Sequence, residues 1–176
     1  MHMNEMLKAI MARRSARKYK PDMVPQELID QVIEAGLYAA SGHGCQSPII
    51  LAVTNKEIRD HFAAANAKIL GNEGIDPFYG APVVLIVLAD RTQPTHVYDG
   101  SLAIGNMMLM ADSLGLGSCW IHRAREEFDS TGGRAFLTLH GIEGDYEGIG
   151  HCILGYPAEE KPAPPPRKDN RVYYIK

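Results

Sequence analysis

The stretch "APVVLIVLAD", Ala81 to Asp90, decides how this chain folds. From Val83 to Leu88 it is an unbroken aliphatic run, mostly β-branched, which reads as the central strand of a sheet. Working back from it, Asn55 can cap a helix carrying Ile58, Phe62, Ala65 and Ile69. Before that helix "IILAVT" (Ile49–Thr54) reads as a short buried strand, and "SGHGCQSP" as a glycine-broken loop. Further back, Pro25 opens a helix with Leu28, Ile29, Val32, Ile33 and Leu37 on its apolar stripe. A first helix, capped by Asn4 and carrying Leu7, Ile10 and Met11, runs to about Arg13.

Working forward, about Val97 to Leu114 is the longest helical pattern, apolar nearly all round at Leu102, Ile104 and Met107 to Met110. Such a helix must be covered on most sides, in a core or between subunits. Gly115 and Gly117 end it, "SCWIH" reads as a strand, "STGGRAFLTLHG" as a short helix and "GIGHCILGYP" as another strand. After Pro157 the composition changes. Pro162, Pro164, Pro165 and Pro166 make an extended arm, followed by the strand-like "RVYYI". A strand with no hairpin partner in sequence often adds to another sheet edge, a second subunit's among them. The order α-α-β-α-β-α-β-α-β-β gives an α+β class with a mixed sheet flanked by helices, one domain over 1–176, and 157–176 as its arm.

The totals narrow the function. The chain has 176 residues, 45% hydrophobic and 22% charged, with a net charge of −3. No apolar run reaches the roughly 20 residues of a membrane helix, and the mixed N-terminus does not read as a signal peptide. A cytoplasmic protein without membrane or nucleic-acid partners is expected. Three cysteines without C-x-x-C spacing read as free thiols, and seven scattered histidines give no metal-ligand spacing.

Against that acidic balance, "ARRSARKY" (Ala12–Tyr19) gathers Arg13, Arg14, Arg17 and Lys18 around Ser15. A helix end attracts one or two basic residues through its dipole. Three arginines bracketing a serine also suit a phosphate, which guanidinium groups fork onto and a hydroxyl can donate to. Spacing alone leaves both readings open. The glycine cradles of nucleotide sites are absent: there is no G-x-x-x-x-G-K-[ST], and "GLGSCW" lies between a helix and a strand, the reverse of the dinucleotide order.

Taken in order, "RRSARKY", "AASGHGCQSP", "AANAKI", "APVVLIVLAD", the apolar helix, "GLGSCWI", "LGYP" and a late basic segment resemble the FMN-dependent nitroreductase family over essentially the whole chain. The resemblance implies an intertwined homodimer with the C-terminal strand exchanged to the partner. It also implies FMN at the subunit interface, NADH or NADPH as reductant, and a small second substrate. Arg13 and Ser15, with Arg14, resemble the phosphate-binding positions. Arg17 matches a basic residue beside N1 and O2 of the ring, where a cation favours the reduced cofactor. Ser41, Gly42, Gly44 and Gln46 match a loop that meets the flavin from the other subunit, and Asn66 a residue that bonds the pyrimidine edge. Ile121, His122 and Arg123 match the segment beside the central ring, where a backbone N–H faces N5. Arg167, Lys168 or Arg171 would complete the phosphate site.

The implied function is an NAD(P)H oxidoreductase passing electrons by a ping-pong route to a nitroaromatic, a quinone or a similar acceptor. No catalytic side chain is required. Another flavin enzyme on the same fold, reductive dehalogenating or flavin-cleaving, and a non-catalytic FMN-binding module are the alternatives. The chain departs from the family at Gly44, Ser47, Pro48, His122 and Arg123, the last two putting a basic face near the ring. Trp120 and the methionines of "NMMLMAD" read as packing residues, and His43, Cys45, His140 and His151 receive no role.

Overall fold

The structure is a computed structural model and describes residues 4–176. Its helices are α1 (Glu5–Ala12), α2 (Gln26–Leu37), α3 (Lys56–Leu70), α4 (His96–Ser113), α5 (Ala124–Asp129) and α6 (Thr131–Leu139). Its strands are β1 (Pro48–Val53), β2 (Val83–Asp90), β3 (Gly117–Ile121) and β4 (Tyr146–Gly155). Asn4 and Asn55 cap α1 and α3 as their positions predict, each side chain accepting backbone N–H groups of the first turn. Two helices, α5 and α6, stand where one short helix was expected.

The strands lie in the order β1-β2-β4-β3, and every neighbouring pair is antiparallel. The expected mixed sheet is therefore corrected to an antiparallel one. The reason lies in the connections: β2 begins at the end of the sheet where β1 stops. Helix α3 and the long segment 71–82 thus make a return trip together, where a single crossover would have produced a parallel pair.

The opening run behaves as its composition requires. Val83 to Ala89 are fully buried and alternate between two cores. Val83, Leu85, Val87 and Ala89 face Val32, Ile104 and Met107 of α2 and α4. Val84, Ile86 and Leu88 face Phe62, Phe128 and Leu137 of α3, α5 and α6. Each aliphatic side chain so buried contributes about 1.5–3 kcal/mol, which makes β2 the anchor of both layers. Between Val87 and Leu88 the register with β4 slips, and Ile149 is the extra residue.

Residues 157–176 form no strand with the chain itself, and Val172, Tyr173, Tyr174 and Ile175 are exposed. The apolar stripe of α1 is uncovered at Met6, Leu7, Ile10 and Met11, and α4 likewise exposes Val97, Tyr98 and Leu102. Among the described residues no helix is long and apolar enough to cross a membrane.

Candidate functional site

The basic segment leaves α1 at Arg13 and lies along the outer edge of β3. Ser15 bridges to Ser118 in parallel, and Ala16 N–H donates to Ser118 O at 2.9 Å. Farther on, Tyr19 bridges to Pro157, and Lys20 N–H donates to Tyr156 O. Close approach at this edge depends on Gly117, where a Cβ would sit 2.7 Å from the Ala16 methyl. Tyr19 donates to Ala16 O at 2.9 Å, and burial, with Cys119 and Cys152 nearby, pushes its phenol far above the ordinary range.

The pinned segment holds three guanidinium nitrogens, Arg13 Nη1, Arg14 Nε and Arg14 Nη2, buried with no hydrogen-bond partner among the described residues. Leaving a charged donor buried and unpaired is costly. A phosphate is a ligand these nitrogens fit, and Arg14, Ser15, Arg17 and Lys18 line one small cleft of about 60 Å³, which Asp112, Glu159 and Glu160 also border, Lys18 pairing with Glu159.

Arg17 also lines a second cleft, of about 170 Å³, with Tyr79, Cys119, Trp120, Ile121, His122 and Arg123. Three basic side chains and no acid border it. The segment after β3 turns sharply there, with Arg123 in the left-handed region at φ 80°. A buried network lies behind it. Asn66, wholly buried, donates through Nδ2 to His122 O at 2.9 Å and to Glu127 Oε1 at 2.7 Å. Its Oδ1 accepts Arg123 Nε at 2.9 Å. Glu127 Oε2 lies 2.8 Å from His151 Nε2, and the other ring nitrogen, Nδ1, is 3.2 Å from Ile121 O.

The loop of Ser41, Gly42, Gly44 and Gln46 sits elsewhere, ahead of β1. Its centre is Asp99, buried in the first turn of α4. Gly42 N–H donates to Oδ1 at 3.0 Å. Ser47 Oγ at 2.8 Å, Thr95 Oγ1 at 3.1 Å and Cys45 Sγ at 3.5 Å converge on Oδ2. Burial pushes the Asp99 carboxyl upward, but the bonds from Ser47, Gly42, Thr95 and Cys45 outweigh it and hold the pKa below the usual value. Gln46 stands in the left-handed region at φ 50°, its N–H bonded to Ser41 Oγ.

The chain therefore brings Arg13, Arg14, Ser15, Arg17, Ile121, His122 and Arg123 to the β3 edge. Asn66 lies directly behind them. Ser41, Gly42, Gly44 and Gln46 are at the β1 edge, the far side of the sheet. Arg167 donates to its neighbour Pro165 O, and Arg171 lies on the exposed arm. No cluster of His, Cys, Asp and Glu suited to a metal occurs among the described residues.

Sequence reasoning missed Asp99, Glu127, His151 and Tyr79. The acids and the histidine act through tertiary contacts without sequence spacing. Tyr79 is presented at φ 53° by a staple in which Asp76 accepts Phe78 N–H and Gly80 N–H and pairs with Arg59, itself stacked on Phe78. Burial pushes Cys152 up to about 12, which leaves it an inert core thiol.

A sequence profile of the nitroreductase family matches residues 10–156. A Methanothermobacter thermautotrophicus protein provisionally named NADH dehydrogenase/NAD(P)H nitroreductase is 33% identical over 125 residues, 66% of this chain and 60% of that one. A Bacillus subtilis FMN reductase [NAD(P)H] is 30% identical over 145 residues, 70% of this chain and 56% of that one. The chain thus spans under two thirds of both relatives. A Bacteroides fragilis nitroreductase crystallised with bound FMN superposes with a TM-score of 0.85 at 32% identity, covering 99% of this chain and 100% of that one.

Proposed function

The chain belongs to the nitroreductase family, and on that footing we propose that it is an FMN-dependent NAD(P)H oxidoreductase acting by a ping-pong route on a small acceptor, a nitroaromatic or quinone. The observation that carries this reading is the set of buried, unpartnered guanidinium nitrogens of Arg13 and Arg14 at the edge that also presents Arg17 and Ile121–Arg123. These residues fit FMN: Arg13, Arg14 and Ser15 would hold its phosphate, and Arg17, Ile121, His122 and Arg123 would line its ring. FMN, when bound there, supplies the hydride and electron chemistry that amino-acid side chains cannot.

The chain's own part is binding and orientation. Forked donors at Arg13 and Arg14 fix the phosphate end, and the β3 edge fixes the cleft against which the ring lies. The basic lining of that cleft favours an anionic ring edge or an anionic second substrate. Asn66 supports this segment from behind, its amide oxygen and nitrogen both engaged within the chain.

Placement of Ser41–Gln46 at the far edge supports a site completed by a second copy. So do the uncovered apolar faces of α1 and α4 and the exposed arm. In that assembly Arg167 or Arg171 of the arm would reach the partner's phosphate end. We read 1–176 as one domain working as a homodimer.

The test is the visible spectrum of the purified chain after incubation with FMN and gel filtration, before and after anaerobic NADH or NADPH. A protein-bound flavin spectrum that bleaches, then recovers on adding a nitroaromatic or quinone, is the expected result. Retained flavin that does not bleach removes the NAD(P)H step, and no retained flavin removes the reading altogether.

A further inference from the structure

Asn66, Glu127 and His151 form a continuous buried chain of hydrogen bonds whose two ends are the carbonyl oxygens of Ile121, the last residue of β3, and of His122, which follows it. His151 Nδ1 meets Ile121 O at 3.2 Å, and Asn66 Nδ2 meets His122 O at 2.9 Å, with Glu127 joining the two through its separate oxygens. No peptide bond among the described residues is cis, and in a trans peptide the C=O and the N–H that follows it point in opposite directions. Holding Ile121 O inward turns His122 N–H outward, and holding His122 O inward turns Arg123 N–H outward. The register agrees: Ile121 pairs with His151 of β4, whereas Ser118 bonds the opposite side, where the Arg13–Tyr19 segment lies. The outward side carries the cleft shared by Arg17, Ile121, His122 and Arg123.

Burial makes this arrangement costly to break. His151 and Asn66 are wholly buried, Glu127 is 3% exposed, and Phe78 packs against the imidazole with ring centroids 5.2 Å apart. The polar atoms have no water to turn to, so loss of one member strands the others. Arg123 adds a second tie through Nε to Asn66 Oδ1, and Glu127 N–H donates to Arg123 O at 3.1 Å.

We propose that Asn66, Glu127 and His151 are positioning residues acting as one unit: they fix the inward carbonyls of Ile121 and His122, and so aim two consecutive peptide N–H groups at the flavin ring. The proposal rests on the FMN reading for its target, and on the hydrogen-bond chain alone for its geometry. It is the geometry of the bonds that matters here, not a charge. A glutamine at 127 can accept from Asn66 through its oxygen and donate to His151 Nε2 through its nitrogen.

The experiment compares Glu127→Gln, Glu127→Leu and Asn66→Ala with the unaltered full chain. Two readouts are used: the ¹³C chemical shifts of the Ile121 and His122 carbonyls in the flavin-free protein, which report the hydrogen bonds each accepts, and dissociation constant and midpoint potential after loading with FMN. Glu127→Leu should move both carbonyl resonances, weaken FMN about tenfold and shift the potential, the scale of one lost hydrogen bond to a charged group. Asn66→Ala, which leaves the Glu127–His151 pair intact, should move the His122 carbonyl resonance and leave that of Ile121 in place. Glu127→Gln should match the unaltered protein in every readout.

Unmoved carbonyl resonances in both disruptive variants overturn the proposal. So does Glu127→Gln being as damaged as Glu127→Leu, and so do moved carbonyl resonances with unaltered FMN affinity and potential. If Glu127→Leu loses its circular-dichroism fold, Asn66→Ala decides between these outcomes. Failure of the unaltered chain to hold FMN overturns the functional reading and, with it, the flavin target, while the carbonyl resonances still judge the hydrogen-bond geometry separately.

Discussion

Four donors from two stretches of chain converge on the carboxylate of Asp99. Replacing it with Asn keeps the shape but turns one of the two acceptor oxygens into an N–H₂ donor, so that either Gly42 N–H or the three donors on Oδ2 lose their acceptor. Asp99→Asn should cost about 2–3 kcal/mol in urea unfolding at pH 7. The folded-state pKa lies below the unfolded one, so the stabilisation is fully present above an unfolded pKa of about 3.9 and is lost as pH falls through the folded value. Unfolding followed from pH 6 to pH 2.5 should therefore show a shallower acid loss in Asp99→Asn than in the unaltered chain. At the other edge, Arg13→Gln with Arg14→Gln removes donors that have no other partner. The double variant should bind FMN at least about tenfold more weakly in a fluorescence titration, with its melting temperature preserved or raised.

Among the elements, β4 is shaped by its neighbour α5. A Cβ at Gly148 would stand 2.1 Å from Ala124 O, so the strand can pass beneath the helix start only as glycine. Gly148→Val should destabilise the protein by about 2–4 kcal/mol in thermal or urea unfolding, through backbone displacement at α5, the helix that holds Glu127. The elements themselves were readable from the chain. Apolar runs and Asn caps located β2, α1 and α3, because burial and capping act on adjacent residues. Strand direction was not readable, since nothing in "IILAVT" or "APVVLIVLAD" records that segment 71–82 carries the chain back before β2 begins. Nor was the split between α5 and α6, where Ser130 ends one helix and caps the next within a single residue.

For the molecule as a whole, the exposed arm and the uncovered faces of α1 and α4 make one expectation. On the proposed homodimer, truncation at Pro157 should shift the species seen in sedimentation velocity from dimer towards monomer and weaken FMN retention together, because in that assembly both depend on the same second copy. The motifs of the candidate site were legible as local clusters of basic and small residues. Their grouping was not: sequence order places Ser41–Gln46 between Arg17 and Asn66, whereas the sheet sends that loop to the opposite edge. The buried partners Asp99, Glu127 and His151 left no signal at all, since an acid on an apolar helix looks the same whether it faces solvent or four donors.

The separation of the two edges has a genetic consequence. In the proposed homodimer, a chain crippled at Arg13 and Arg14 and a chain crippled in the Ser41–Gln46 loop carry lesions in different halves of the same cavity. Co-expressed with distinguishable tags and isolated as the mixed pair, they should complement: one cavity would inherit both defects and the other neither. The hybrid should hold one FMN per two chains with the affinity of the unaltered protein, which neither parent alone reaches.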